Sequence, residues 1–508
     1  LVTDAVNPAA CHPASRCASR GLRTVLALFF LYAAAQAVLR VAVSDSLELD
    51  EAEQVLLAQQ WAWGYGGQPP LYTWLQAAFF TVCGVNVAAL ALLKALLVFA
   101  VLAVTYLAAR EASGSDATAF AAAVAWFLLP HFAWEARRDL SHTVLALACV
   151  AATVFFVVRW LKRPTMAAGL GLGLSTALGV LSKYNFLLFL AALTLGGLSL
   201  ASVRASLRTW RVVPGMVVFW GITGAHAAWF FANRELATAG HEKLFADGAP
   251  GRVHAALTGL WSLLEQGVPA VLLLAAVCAM CAWRKRVADA PPDAARALER
   301  LLARTLVFGV ALCGVLAIGF QVRFKARWLL PLLAVGPLYG AMWLASRAGE
   351  ARVRWLARIG AAAALVALVA LPAAAPLASL TGKFTRLNAP YAALAAQLRA
   401  SGVAPKVIVA ENRLVGGNLK LFFPESCVVA PERVAPPDLP SGERCVVWEA
   451  TRRAEMPPAL AAFAASLCEN DPAAASPRYV EATQKYSRTR TMRLGFVLML
   501  PRSSASRP

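Results

Sequence analysis

Long runs of apolar residues recur along the chain, each about 20 residues long and separated by short polar breaks. A helix of that length crosses a hydrocarbon core of roughly 30 Å, so each run predicts a membrane-spanning helix. The runs fall at 22–42, 86–108, 117–132, 142–159, 165–181, 185–203, 211–231, 262–283, 302–320, 327–346 and 356–377, giving about eleven spans. The stretch 165–203 is interrupted only at "SKYN", and an interfacial helix could precede the span after residue 255. Beyond residue 377 the pattern changes. Short β-like runs at 406–412, 445–450 and 492–500 alternate with helical stretches at 391–400 and 457–467, which predicts a small α/β domain over 378–508.

Composition agrees with the pattern. The 508 residues are 59% hydrophobic and 15% charged, with a mean hydropathy of +0.60. The net charge of +20 would suggest a nucleic-acid partner, but its position excludes one. Most Lys and Arg lie in short loops: Arg110; Arg159, Lys162 and Arg163; Arg204, Arg208 and Arg211; Arg284, Lys285 and Arg286; Arg347, Arg352, Arg354 and Arg358. With Arg16, Arg20 and Arg23 ahead of the first span, these loops thread to one side, as the positive-inside bias demands. Residues 1–21 then read as a cytoplasmic tail, and loop 43–85 and the C-terminal domain fall on the outer, periplasmic face. Cys278 and Cys281 form a CxxC inside an apolar run and read as small packed residues. In an oxidising compartment, two of Cys427, Cys445 and Cys468 could form a disulfide, with the pairing left open.

Charges that break this bias carry the candidate chemistry, because ionisable groups near membrane depth are costly. Glu48, Asp50, Glu51 and Glu53 cluster after the first span, within "LELDEAEQVLLAQQWAWGYGGQPPLYTWL". The spacing over 50–63 predicts an amphipathic interfacial helix anchored by Trp61, Trp63 and Tyr65; a solvated acidic loop is the plainer alternative. A second group holds Glu135, Arg137, Arg138, Asp139 and His142; Asp139 could simply cap its own helix, and His142 could be an ordinary helix-end histidine. Lys183 and Tyr184 sit between two spans, where the lysine could snorkel or bind an anion. Arg323, Lys325 and Arg327 precede a span beside Phe324 and Trp328, facing either lipid headgroups or a fixed anionic ligand. Together they suggest an outer cavity, acidic on one wall and basic on another, suited to activating a nucleophile beside an anionic leaving group.

The stretch "DEAEQVLLAQQWAWGYGGQPPLYTWL" resembles the first outer loop of family 39 glycosyltransferases. "LSKYNFLLFL" is similar to their Ser/Thr-Lys-Tyr segment, and "RWLLPLLAVGPLYGA" to their Arg-Tyr-Leu-Leu-Pro span. The family includes protein O-mannosyltransferases and the bacterial enzyme that adds aminoarabinose to lipid A. The resemblance implies a GT-C fold and transfer of a sugar from a polyprenyl phosphate to a lipid, glycan or protein acceptor outside the bacterial inner membrane, usually with inversion. It implies catalytic roles for Asp50, Glu51 and Asp139. Lys183, Tyr184, Arg323, Lys325, Arg327 and Gln68 would hold donor phosphate or sugar, and Glu53, Tyr65, Arg138 and His142 would line the acceptor loop. Gln68 stands where the family has His or Lys before Pro-Pro, and Glu53 and Gln54 where tyrosines are common. No ligand spacing calls for a metal or other cofactor, although a divalent ion beside Asp139 is compatible with the acidic residues. A flippase for a lipid-linked sugar, or a membrane scaffold, are the competing readings.

Overall fold

The computed structural model describes residues 13–238, 251–283, 292–432 and 439–501. All eleven apolar runs form helices. Among the described residues, seven helices are long and apolar enough to cross a membrane, and up to nine spans result when each of two bent pairs counts as one. The expected count of eleven is not reached, because Met166–Ser182 and Phe186–Leu198 have only 17 and 13 residues. The run at 117–132 is not straight: a break near Pro130 turns Asp116–Leu128 by 80° into His131–Arg138. Proline removes a backbone donor and clashes with the preceding turn, so a bend is the physical result. The first helix, Pro13–Val43, reaches back into the segment read as a tail, and Arg252–Ala282 is one continuous helix rather than an interfacial piece plus a span. Arg284, Lys285 and Arg286 lie outside the described residues.

Small residues bring the spans together. A Cβ on Gly173, in Met166–Ser182, would collide with the backbone of Gly215 in Val213–Ala232, and one on Gly215 with that of Gly169. Lipid tails are as apolar as leucine, so close backbone approach replaces the hydrophobic effect as the adhesive between these helices. Gly173→Ala is therefore expected to cost about 1–3 kcal/mol through forced separation. A lowered unfolding temperature of the purified protein would show it; an unchanged one would contradict the close packing. Cys278 and Cys281 are buried free thiols within Arg252–Ala282, as the apolar run implied.

The C-terminal part is a five-stranded mixed sheet in the order β2-β1-β3-β5-β4. The strands are β1 (Val407–Ala410), β2 (Cys427–Val429), β3 (Arg444–Glu449), β4 (Arg478–Thr483) and β5 (Thr491–Met499). β1 pairs in parallel with β2 and β3, whereas β5 runs antiparallel to β3 and β4. Helices Tyr391–Ala400, Arg413–Phe422 and Pro458–Ala465 cover the two faces. Cys427, Cys445 and Cys468 are all free thiols. Cys445 faces one core of the sheet and Cys468 the other, so the sheet lies between these two.

This sheet unit does not have a core to itself. Leu56, from loop 43–85, is buried in the same cluster as Tyr391, Ile408 and Leu419. Gly417 lies against the backbone of Ala52, where any side chain would clash. Asn418 Oδ1 accepts from Leu47 N–H, and Gln59 pairs with the backbone of Val428 in both directions. Loop 43–85 is thus clamped between the spans and the sheet unit.

Candidate active site

Loop 43–85 contains two helices, Leu49–Leu57 and Leu71–Cys83. The first is the expected helix, but it does not lie free at the interface: Glu51, Ala52, Gln54, Val55, Leu56 and Leu57 are all buried. Trp61 and Trp63 are exposed as expected of interfacial anchors. Tyr65 is not; its hydroxyl is buried, donating to Gln60 O and accepting from Ala62 N–H. The second helix begins directly after Pro69-Pro70, which marks its start rather than a mere break.

Each acidic residue of the cluster has a different environment. Glu51 closes a capping box on the N-terminus of its helix, accepting from Glu48 N–H at 3.0 Å. Arg40 holds it with two hydrogen bonds of 2.6 and 3.3 Å, and Lys94 approaches to 3.9 Å. Burial acts to raise the Glu51 carboxyl, but the two cations outweigh it and hold the group below the usual carboxylate range. Glu48 is paired with Arg138 at 3.7 Å and Arg386 at 3.2 Å; here burial prevails and the carboxyl is raised. Glu53 is paired with Arg413 at 3.2 Å. Among the described residues, Asp50 is the member of the cluster with no ion pair.

Asp50 is instead locked to Asp139 through backbone. Ser141 N–H donates to Asp50 Oδ2 at 3.2 Å, and Asp50 N–H donates to Asp139 Oδ1 at 2.9 Å. Each carboxylate therefore meets the positive N-terminus of the other's neighbouring helix, Ser141–Lys162 or Leu49–Leu57. Asp139 does cap a helix, but not its own. The crossing is made by Leu140, held at φ 50°, a left-handed conformation unusual for leucine. Lys94, in helix Val87–Ser113, donates to the carbonyls of Arg138 and Asp139 at 3.3 and 3.2 Å and fixes this turn.

Asp139 lies in the connection between two spans, where burial and then the Asp50 charge push its carboxyl up to about 7. Its folded value is above the ordinary 3.8, so the stability it contributes is present at acid pH and lost as pH rises through 7. Asp139→Asn keeps the acceptor oxygen but not the titration. Its unfolding temperature relative to wild type should climb as pH is raised across this window; a constant difference would contradict the assignment.

A cavity of about 1520 Å³ opens beside Asp50. It is lined by Asp50, Glu53, Tyr65, Gln68, Lys183, Tyr184 and Arg327 from the sequence reading, and by apolar residues such as Leu187, Phe219, Trp220 and Phe231. The sheet unit adds Arg413 and Glu432, from one end of the chain to the other. Lys183 is buried and its ammonium donates to Thr143 Oγ1 at 2.5 Å. Tyr184 donates to His226 Nε2 at 3.1 Å. The other ring nitrogen must carry the proton, since it meets the carbonyl of Trp63 at 2.8 Å.

The remaining expected residues lie elsewhere. His142 is buried behind the cavity, where its Nδ1 faces Ser182 O at 3.3 Å and its Nε2 accepts from Gln54 at 3.0 Å. Gln54 in turn accepts from Thr73, so this chain of contacts ties the two loop helices to Ser141–Lys162. Glu51 and Arg138 line a separate, smaller cavity. Arg323 is exposed and outside the lining; Lys325 stacks over Trp328 at 5.2 Å. Among the described residues, no group of three or more His, Cys, Asp or Glu gathers as a metal site would require. The sequence reading missed Arg40, Lys94, His226, Arg386 and Arg413. For Lys94 and His226 a signal existed, because each is an ionisable residue inside an apolar run.

Comparison with known proteins decides the family. Residues 67–229 match the sequence profile described as dolichyl-phosphate-mannose-protein mannosyltransferase. The lipopolysaccharide core galacturonosyltransferase RgtB of Rhizobium johnstonii is 34% identical over 414 residues, covering 80% of this chain and 82% of that protein. The chain belongs to the PMT-like GT-C membrane glycosyltransferases. Another lipopolysaccharide core galacturonosyltransferase of the same organism, RgtA, is 32% identical over 451 residues, covering 86% of this chain and 89% of that protein. Among solved folds, ArnT from Cupriavidus metallidurans bound to undecaprenyl phosphate aligns with a TM-score of 0.59 at 14% identity, covering 93% of this chain and 98% of that one. The apo form of the same ArnT gives 0.58, covering 95% and 98%. This GT-C glycosyltransferase therefore shares its architecture with ArnT across nearly its whole length, the C-terminal sheet included.

Proposed function

We propose that this GT-C enzyme transfers an acidic sugar, of the galacturonic acid class, from a polyprenyl phosphate to the core sugars of a lipopolysaccharide on the periplasmic face. The observation that carries the reading is Asp50, the carboxylate of the acidic cluster with no ion pair among the described residues, in one cavity with Lys183 and Arg327. The names of the two Rhizobium relatives supply the sugar and acceptor class, and the ArnT complex supplies the precedent for a polyprenyl phosphate. The asymmetric charge of the loops supports the orientation.

With one oxygen fixed by Ser141 N–H, the other oxygen of Asp50 takes the proton of an acceptor hydroxyl. That hydroxyl oxygen forms a bond to the anomeric carbon, and the bond from this carbon to the phosphate oxygen breaks with its electron pair. The configuration inverts. Lys183 and Arg327 neutralise the departing phosphate, and the apolar wall of Val213–Ala232 holds the polyprenyl chain. Phosphate is already a good leaving group, so positioning and charge neutralisation supply most of the barrier reduction. Asp139 orients Asp50 through its backbone, and Glu51 sets the helix that carries it; both are positioning residues. Gln68 and Glu53, neutral or anionic where relatives of the family carry other groups, shape the sugar end of the cavity.

A purified-enzyme assay tests the sugar class. The same polyprenyl phosphate bearing galacturonic acid or the matching neutral hexose is offered to the protein. The acidic sugar should be transferred at least about tenfold more efficiently, the size expected when a charged partner is lost from a binding pocket. Equal use of both would overturn the acidic-sugar reading. Arg327→Gln should raise KM for the donor about tenfold and lower kcat as well, because the same guanidinium meets the donor phosphate when bound and as it departs. An unchanged KM would remove Arg327 from the donor site.

A further inference from the structure

Behind helix Leu49–Leu57, away from Asp50, lies a second cavity of about 70 Å³. Four cations line it, Arg40, Lys94, Arg137 and Arg138, against two carboxylates, Glu48 and Glu51. Its opposite wall is apolar, formed by Leu368, Leu371 and Pro372 of helix Glu350–Ala373.

The charges around it do not balance. Arg40 and Lys94 share Glu51, Arg138 lies between Glu48 and Glu135, and Arg386 between Glu48 and Asp139, which leaves Arg137 as the lining cation with no carboxylate among the described residues. The Nε of Arg138 is buried and makes no hydrogen bond, although Glu48 Oε1 lies 3.7 Å away. Arg137 is only 4% exposed and has no carboxylate within ion-pair distance among the described residues. Its Nε donates to Gln36 Oε1 at 3.1 Å and its Nη1 to Ala133 O at 3.3 Å, and it lies over the rings of Tyr32 and Phe127 at 5.4 and 5.9 Å. These neutral partners aim the guanidinium without neutralising it. A buried cation lacking a counter-charge costs several kcal/mol, so a site of this kind is completed by an anion. Arginine forks match the oxygens of a phosphoryl group, and the cavity has room for such a group but not for a sugar.

The surroundings indicate how the anion arrives. Leu31, Val38 and Val41 on Pro13–Val43 are exposed, as are Leu365, Val366 and Val369 on Glu350–Ala373. These are lipid-facing surfaces on the two helices that flank the cavity. We propose that the cavity binds the phosphoryl head of an anionic membrane lipid, distinct from the sugar donor, with Arg137 and Arg138 as its ligands and its chains along these two helices. Arg138 directly precedes Asp139, whose carboxylate holds Asp50 N–H. Occupancy therefore braces the turn that positions Asp50.

The test is a binding measurement on the full-length protein in zwitterionic phosphatidylcholine nanodiscs, with no sugar donor present, so it stands apart from any transferase result. Short-chain phosphatidic acid is titrated against thermal unfolding, with inorganic phosphate in a parallel arm. Phosphatidic acid should raise the unfolding temperature saturably. Arg137→Gln should weaken its apparent affinity about tenfold or more. Ala91→Leu, which fills the cavity and leaves every charge in place, should do the same, and it serves if the arginine variant does not fold. Equal protection by inorganic phosphate would replace the lipid by a free anion and overturn the proposal. Protection by phosphatidic acid undiminished in both variants, or no protection at all, would show that this cavity is not its site.

Discussion

Asp50→Asn should lower the rate of sugar transfer by about 10²–10⁴, the range for removing a positioned general base. The substitution is close to isosteric. The asparagine oxygen still accepts from Ser141 N–H, and the backbone N–H still donates to Asp139, so the turn around Leu140 is kept. Donor binding, which depends on Lys183 and Arg327 and on the apolar wall, should change little. The measurement is a single-turnover assay with purified enzyme beside a donor-binding titration. A large fall in rate with donor affinity retained fits a base. A comparable loss of affinity would make Asp50 a donor ligand, and an unchanged rate would remove it from the chemistry.

Glu51→Ala should act on stability instead. It leaves Arg40, only 14% exposed, beside an empty space, withdraws the acceptor from Glu48 N–H and removes the carboxylate partner of Lys94. Breaking a buried ion pair from one side costs about 3–5 kcal/mol, since the remaining charge is uncompensated. A fall of about 10 °C in unfolding temperature, or failure to recover folded protein, is the expected readout. The double change Arg40→Met with Glu51→Leu should recover much of the loss, because an apolar pair of similar volume needs no counter-charge. If Glu51→Ala retained full stability and lost only activity, Glu51 would be a participant in the reaction rather than the foundation of its helix.

The contrast between these two neighbours explains what could be read from the chain and what could not. The apolar runs announced themselves, since a span must satisfy its backbone internally and face lipid along its length. The bend at Pro130 and the two short helices around Lys183 were harder, because hydropathy reports how apolar a run is and not whether its axis stays straight. In the C-terminal part β1, β3 and β5 coincide with clear β-like runs. β2 has three residues, too few to display alternation, and β4 alternates weakly among polar residues.

At the site, Asp50 and Lys183 were legible through a family resemblance, and the structure brings them to the same cavity. What remained hidden was the pairing. The acidic cluster has no nearby cation in sequence, yet Arg40, Lys94, Arg138, Arg386 and Arg413 converge on it from the first span, the second long span, the turn before Asp139 and the sheet unit. An arginine in a soluble-looking segment such as Arg413 or Arg386 carries no mark of its partner, and only folding chooses it. Glu51 and Asp50 are adjacent carboxylates; a helix turns successive residues by about 100°, and that rotation sends one into an ion pair and the other into the cavity.

The most direct test of the central claim is mass spectrometry of the lipopolysaccharide from a strain lacking this gene, complemented with wild type or with Asp50→Asn. The account predicts that the mass of a hexuronic acid residue disappears from the core on deletion, returns with wild type, and stays absent with Asp50→Asn. Full restoration by Asp50→Asn, or a core unchanged by the deletion, would contradict it.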